Sequence, residues 1–295
     1  MIIAVDMPSR RTQSECASNP GASNDIELHS ANRHRMNPKS EAIIELLNQV
    51  TLERRRRESV PGLHAMVAAV KRYQQRRFVH TYDDLLSSPR YAAAARFFLD
   101  DLYGPRDFSQ RDAQFVRVVP ALVRLFPSEI VHTVETLARL HALSEALDSE
   151  MGLHVSAREL DATSYVSAWQ ATARRAERHL QIEFTLEVGS ALDRYTRRPL
   201  LRQSLKMMRG PARAAGLGEL QRFLESGFDT FKEMQGANDF LGIIRSRERA
   251  LAEAMFEYRT GAGDGEATTS GSSAQRALRL LPPDDPGPIE IVKRP

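Results

Sequence analysis

The chain has 295 residues, 41 basic against 38 acidic, a net charge of +3 and a single cysteine, Cys16. So even a balance excludes nucleic-acid binding through bulk charge alone. One cysteine excludes an intrachain disulfide framework and points to a reducing, cytoplasmic setting. The N-terminal apolar run, Ile2 to Val5, is too short for a secretory leader, and no stretch nears the roughly 18 apolar residues of a membrane span.

Residues 1–38 are rich in Ser, Asn, Arg and Pro, and residues 260–295 in Gly, Ser and Pro, without hydrophobic period. Such segments bury too little apolar surface to offset the entropy of ordering, so both are expected to be disordered tails flanking a helical domain over residues 39–259. Met36 stands just before the helical pattern and is an alternative start to Met1.

Helix signals begin at Pro38, with Ile43, Ile44, Leu46, Leu47 and Val50 on one stripe, and the first helix ends before Pro61-Gly62. A second carries Leu63, Met66, Val67, Val70 and Tyr73. Thr81-x-x-Asp84 reads as a capping box for a short helix that stops at Ser88-Pro89. Tyr91 to Tyr103 reads as one helix, packed through Phe97, Phe98, Leu99 and Leu102 and stopped by Gly104-Pro105.

Ser109-x-x-Asp112 reads as the cap of the next helix, whose stripe runs from Phe115 to Phe126 and keeps its phase across Pro120, where a kink is expected. Pro127-Ser128 opens a helix to about Glu150, with Gly152 as its stop. Asp161 or Thr163 opens the longest helix, striped from Val166 to Tyr195; the alternation of Ile182, Phe184, Leu186 and Val188 competes as a strand signal but has no partner strand. Leu200 to Met208, Leu217 to Met234 and a last helix to about Tyr258, capped by Asn238 or Asp239, complete the reading. It predicts an all-α fold, a single multi-helix bundle of eight or nine helices with antiparallel neighbours.

Candidate chemistry is sparse. Glu129-x-x-His132 matches the pair used by carboxylate-bridged di-metal bundles, but such a site needs a second motif that is absent from the sequence. An exposed helix face explains the pair better, and His141 lies half a turn round the helix from His132. His141 is expected to be partly buried and bonded to Glu145. The acidic cluster Asp100, Asp101, Asp107 and Asp112 lacks calcium-loop spacing, and with Tyr103, Arg106 and Arg111 it is a candidate interaction surface at a Gly-Pro turn. Arg54, Arg55, Arg56 and Arg57, with Lys71, Arg72, Arg76 and Arg77, form a candidate basic face; a solvated helix surface is the competing explanation. No P-loop, dinucleotide fingerprint, zincin or nucleophile-elbow motif occurs.

The segments FFLDDLYGPRDFSQRDAQF and LKMMRGPARAAGLGELQRFLESGFDTF are similar to those of an uncharacterised family of bacterial all-helical domains with a Phe-Phe-x-x-Asp-Leu-Tyr-Gly-Pro signature. The resemblance spans about residues 40–258. It implies a helical domain of unknown function and supplies no catalytic residue. The sequence therefore predicts a non-enzymatic interaction or regulatory module, working with a protein partner or as a homo-oligomer, without cofactor or membrane. One alternative is a helical bundle holding a metal, through Glu129 and His132, or a small ligand; another is a weak nucleic-acid binder using the basic face.

Overall fold

The computed structural model describes residues 37–102, 108–258 and 269–283. Of these, all but Asn37 belong to one unit, Pro38–Pro295. The elements are α1 Pro38–Ser59, α2 Leu63–Thr81, α3 Asp83–Ser87, α4 Ala92–Phe97, a π-helical turn Phe98–Leu102, α5 Ser109–Leu125, α6 Ser128–Leu153, α7 Ala162–Ala171, α8 Arg175–Thr196, α9 Pro199–Met207, α10 Arg209–Ala214, α11 Gly218–Glu233, α12 Asn238–Glu257 and α13 Thr269–Leu278. No strand occurs among the described residues, so the alternation at Ile182 to Val188 belongs to a helix.

Helices α6 and α8 form the spine. They pack on each other; α6 also takes α1 and α2, and α8 takes α11 and α12. Four apolar clusters surround them. Ile43, Leu47, Val119 and Val131 join α1, α5 and α6, while Tyr73, Met151, Tyr165 and Trp169 join α2, α6 and α7. Tyr82, Phe98, Phe231 and Phe240 join the α3–α4 region to α11 and α12. Tyr195 and Phe228 close the fourth between α8 and α11.

The element number exceeds the eight or nine expected because one predicted helix is broken without Gly or Pro, a short helix α10 runs through the Gly210-Pro211 expected as a stop, and α13 lies beyond the predicted domain. The predicted longest helix is two, α7 and α8. Ala173 turns the chain between them with φ 54°, and Asp161 with Ser164 forms a reciprocal cap at the start of α7. The helix from Tyr91 is likewise shorter than predicted, because it gives way to the π turn at Phe98.

Three predicted caps are also corrected. The Thr81 hydroxyl donates to the Leu280 carbonyl rather than capping α3, and Asp84 pairs with Arg247. At α5 the N-cap position is Phe108 rather than Ser109, and Asp112 turns inward. At α12 the N-cap is Ala237, whose N–H is taken by Asp193 of α8 at 3.0 Å. Residues 269–283 add a helix beyond the 39–259 domain read from the sequence. There α13 packs on α12, and Leu281 is buried against the Tyr73–Trp169 cluster.

Gly152, expected as a helix stop, lies inside α6 where α2 crosses it. A Cβ there would stand 2.7 Å from Val67 Cγ2 and 3.3 Å from the Val67 backbone nitrogen. A β-branched side chain and a backbone atom yield little, so Gly152→Ala should cost about 1–3 kcal/mol as overpacking. Gly242 sits inside α12 with nothing within 4 Å of its virtual Cβ. Gly242→Ala should raise stability by up to about 1 kcal/mol through helix propensity. Urea midpoints for the two variants should therefore move in opposite directions.

Candidate functional site: a polar chamber between the central helices

The inward face of α6 is polar. His141, Ser144, Glu145 and Asp148 recur at the three- and four-residue spacing that places them on one stripe. Facing it, α1 brings Arg54 and Arg57, α2 brings Lys71, Gln74 and Arg77, and α8 brings Arg178 and Gln181. Two adjoining interior spaces result, both lined by Gln74, Ser144 and Asp148.

In the first space the buried charges are matched in ion pairs. Glu145, only 4% exposed, meets Arg57 Nη1 at 2.5 Å and Lys71 Nζ at 2.8 Å. Burial opposes its ionisation, but Lys71 and then Arg57 outweigh it and hold the carboxyl at about 2. Arg57 also donates to the Ser149 hydroxyl at 2.7 Å. Asp112 accepts from Arg54 at 2.7 Å and pairs with His141 at 2.9 Å. It too is held at about 2: burial opposes this, while His141, Arg111 and Arg54 favour the charged form. The partner of His141 is thus Asp112, one helix away in α5, and not Glu145 on its own helix.

The second space, a cavity of about 90 Å³, is different. Arg77 and the Tyr82 hydroxyl both meet Glu248 at 2.6 Å, and Gln74 donates to Asp148 at 2.9 Å. Arg178 is 2% exposed and makes no ion pair among the described residues. Its guanidinium lies 4.1 Å over the Trp169 ring and donates through Nη1 to Gln181 Oε1 at 3.0 Å. The Gln181 amide is held in turn by Ser144, at 2.8 Å. The Nε and Nη2 of Arg178 have no acceptor, and neither does Trp169 Nε1. Burial pushes the Arg178 pKa down from its ordinary value, partly offset by Tyr165 and Asp148. A guanidinium has five N–H donors and no acceptor. The lining of this cavity therefore carries donors that want an acceptor.

A third, larger cavity of about 230 Å³ adjoins both. Phe98 and Thr185 line it together with the Arg178 chamber, and its wall is otherwise almost wholly apolar. Phe126, Met208 and Leu224 line it while remaining 45%, 52% and 41% exposed, so it opens to solvent between α5, α9–α10 and α11.

The residues singled out from the sequence are mostly spent internally. Of the four consecutive arginines, Arg57 is buried, Arg54 is half-buried against Asp112, and Arg55 and Arg56 face solvent. Arg72 and Arg76 donate to the carbonyls of Arg158 and Leu160. Arg111 stacks between Phe108 and Phe223 at 4.1 and 4.7 Å and donates to the Asp101 carbonyl, so it is a packing residue. Asp112 is buried, whereas Asp100 and Asp101 are half-buried. Tyr103, Arg106 and Asp107 lie outside the described residues. Glu129 pairs with Arg198 at 2.9 Å and His132 with Glu187 at 3.1 Å, so the two do not converge. Among the described residues no three His, Cys, Asp or Glu side chains come together as metal ligands.

Sequence reading missed Arg178, Gln181, Trp169 and Glu145 as site residues. Trp169 and the polar stripe of α6 lay in plain view but at core spacing, where Trp reads as packing and the polar residues as a solvated face.

Fold and site together define an all-helical domain with an enclosed polar chamber at its spine. A family model, domain of unknown function (DUF8198), matches residues 53–261, and the chain belongs to that family. No curated protein and no solved structure matches it. No helix among the described residues is long and apolar enough to cross a membrane.

Proposed function

We propose that this domain is a small-ligand receptor, in which a molecule bearing an anionic group binds between α2, α6, α7, α8 and α12 with the anion on Arg178. What carries the reading is Arg178 itself: a fully buried guanidinium with two donor nitrogens unpartnered at a cavity, beside a third orphan donor on Trp169. A buried charge without a partner costs several kcal/mol, so a fold that keeps one gives up stability for something. Of the two cations that line the chamber, Arg77 is spent on Glu248 at 2.6 Å, and Asp148 accepts from Gln74, which leaves Arg178 as the cation without an ion pair among the described residues. A bound anion supplies that partner. Water fits the volume and satisfies donors, but does not neutralise charge.

The alternatives of an arginine-rich docking face or a nucleic-acid surface lose most of their side chains to internal partners.

The test is the melting temperature of the intact chain in acetate, benzoate and malonate, set against acetamide and benzamide. The acids should stabilise and the isosteric amides should not. Arg178→Gln should abolish the difference, and Arg178→Lys should retain part of it. Equal responses to acids and amides, or an unchanged response in Arg178→Gln, would overturn the reading.

A further inference from the structure

The chamber that holds Arg178 is too small for more than a head group. At about 90 Å³ it accommodates a carboxylate and little else, whereas the cavity beyond Phe98 and Thr185 is about 230 Å³ and lined almost wholly by carbon. An engineered apolar cavity of about 150 Å³ holds a benzene molecule. By that ratio the larger space takes roughly nine carbon atoms.

Two features of the partition link the spaces. Phe98 and Thr185 line both, so these two side chains separate the orphan donors from the apolar cavity. Phe98 also begins the π turn that interrupts α4. Such turns are uncommon and are concentrated at functional sites. Here the first residue of the turn carries an aromatic ring packed against Phe97, Phe231 and Phe240 and standing between the Arg178 chamber and the apolar space.

The far end is open. Phe126, Met208 and Leu224 are large apolar residues exposed at the rim, and Met207 and Leu200 on α9 are still more exposed, at 66% and 75%. A rim of this kind is a suitable entrance for a chain that is itself apolar.

From this arrangement we infer that the ligand is an amphipathic carboxylate with an aliphatic or aryl tail of about eight to ten carbons, its carboxylate on Arg178 and Trp169 Nε1 and its tail passing Phe98 into the apolar cavity. This rests on the anion-receptor reading above. A planar carboxylate suits a guanidinium edge that presents two adjacent donors, and Nε with Nη2 of Arg178 forms such an edge. The tail gains by leaving water, and the apolar wall offers it no competing hydrogen bond. Thr133 and Tyr195 are satisfied by one another at 2.7 Å and by the Glu129 carbonyl, and the Ser204 hydroxyl donates to the Leu200 carbonyl at 2.9 Å. Nothing there calls for a second charged group on the tail.

Binding to the intact chain should be measured by calorimetry with acetate, butyrate, hexanoate, octanoate, decanoate and dodecanoate, and with 1-octanol as the uncharged control. Affinity should rise about fourfold per added methylene, peak near eight to ten carbons and then fall. Octanol should bind far more weakly than octanoate. Leu205 lines the apolar cavity from the outer helix α9. Leu205→Phe should therefore shift the optimum to shorter chains. Arg178→Gln should remove the preference for octanoate over octanol.

If short carboxylates bind through Arg178 but affinity is flat with chain length, or Leu205→Phe does not move the optimum, the amphipathic ligand is wrong and the anion receptor stands. If octanol binds as tightly as octanoate, or no carboxylate binds in an Arg178-dependent way, the anion receptor itself fails and this inference with it.

Discussion

Glu145→Ala should lower the stability of the domain by about 3–5 kcal/mol, the range for breaking one partner out of a buried ion pair. The loss comes less from missing attraction than from what is left behind. Arg57 is 6% exposed, and without Glu145 its guanidinium keeps only the Ser149 hydroxyl and a backbone carbonyl. Lys71 loses its contact at 2.8 Å and retains only Asp148 at 3.9 Å. The exposed pair Arg249–Glu183, between α12 and α8 with both side chains about half exposed, makes the control. Glu183→Ala should cost no more than about 1 kcal/mol, because water already serves both partners. Urea titrations decide it, read from the midpoint with the slope unchanged.

The same residue governs acid sensitivity. Its carboxyl is held at about 2, below its ordinary 4.5. A depressed carboxyl contributes stability that is complete above the ordinary carboxylate range and is lost as pH falls through the folded value. For Glu145 that amounts to about 3 kcal/mol. Asp112, also held at about 2, adds to the loss in the same window. Native stability should thus fall steeply between about pH 5 and pH 2, and Glu145→Ala should flatten that fall. A variant with the native slope would mean that Glu145 is not ionised in the folded protein.

The helices were readable where stripe and punctuation agreed. The Val119–Val131 side of α5 and α6 and the Phe228–Phe231 stripe of α11 follow from a 3.6 period alone. The break at Ala173 did not, because a single alanine in a left-handed conformation is set by tertiary packing and leaves no Gly or Pro as a mark. The caps failed for a related reason. Thr81, Asp84 and Asp112 have good capping chemistry, but each found a stronger partner elsewhere in the chain: the carbonyl of Leu280 beyond α13, Arg247, and the Arg54–His141 pair.

The chamber was the least legible feature. A polar residue on a helix reads as solvent-facing unless something shows that the opposite face is also covered. On α6 both faces are covered, since α1, α2 and α8 surround it. The arginines of α1 and α2 look like a basic surface until the acidic residues that face them, ~60 to ~170 positions away in sequence, are brought alongside. Pairing across such separations is what one-dimensional reading does not supply.

Arg178→Met should make the ligand-free protein more stable, by about 1–3 kcal/mol, while removing its anion response. Methionine is of similar length and fills irregular space well. The substitution deletes a guanidinium that is 2% exposed and lacks an ion-pair partner among the described residues. Against that gain stand one hydrogen bond to Gln181 and the stacking on Trp169. These are worth about 1 kcal/mol and about 0.5–2 kcal/mol, less than the several kcal/mol that an uncompensated buried ion costs. The balance therefore favours the apolar variant in a buffer free of carboxylate and phosphate. With a bound carboxylate the order should reverse, because the native chain then gains the ligand's binding free energy and the variant does not. A protein that trades stability for a poised cation behaves in this crossed way. A purely structural arginine does not: if Arg178→Met lost several kcal/mol with no ligand present, Arg178 would be holding the helices together, and the receptor reading would lose its central observation.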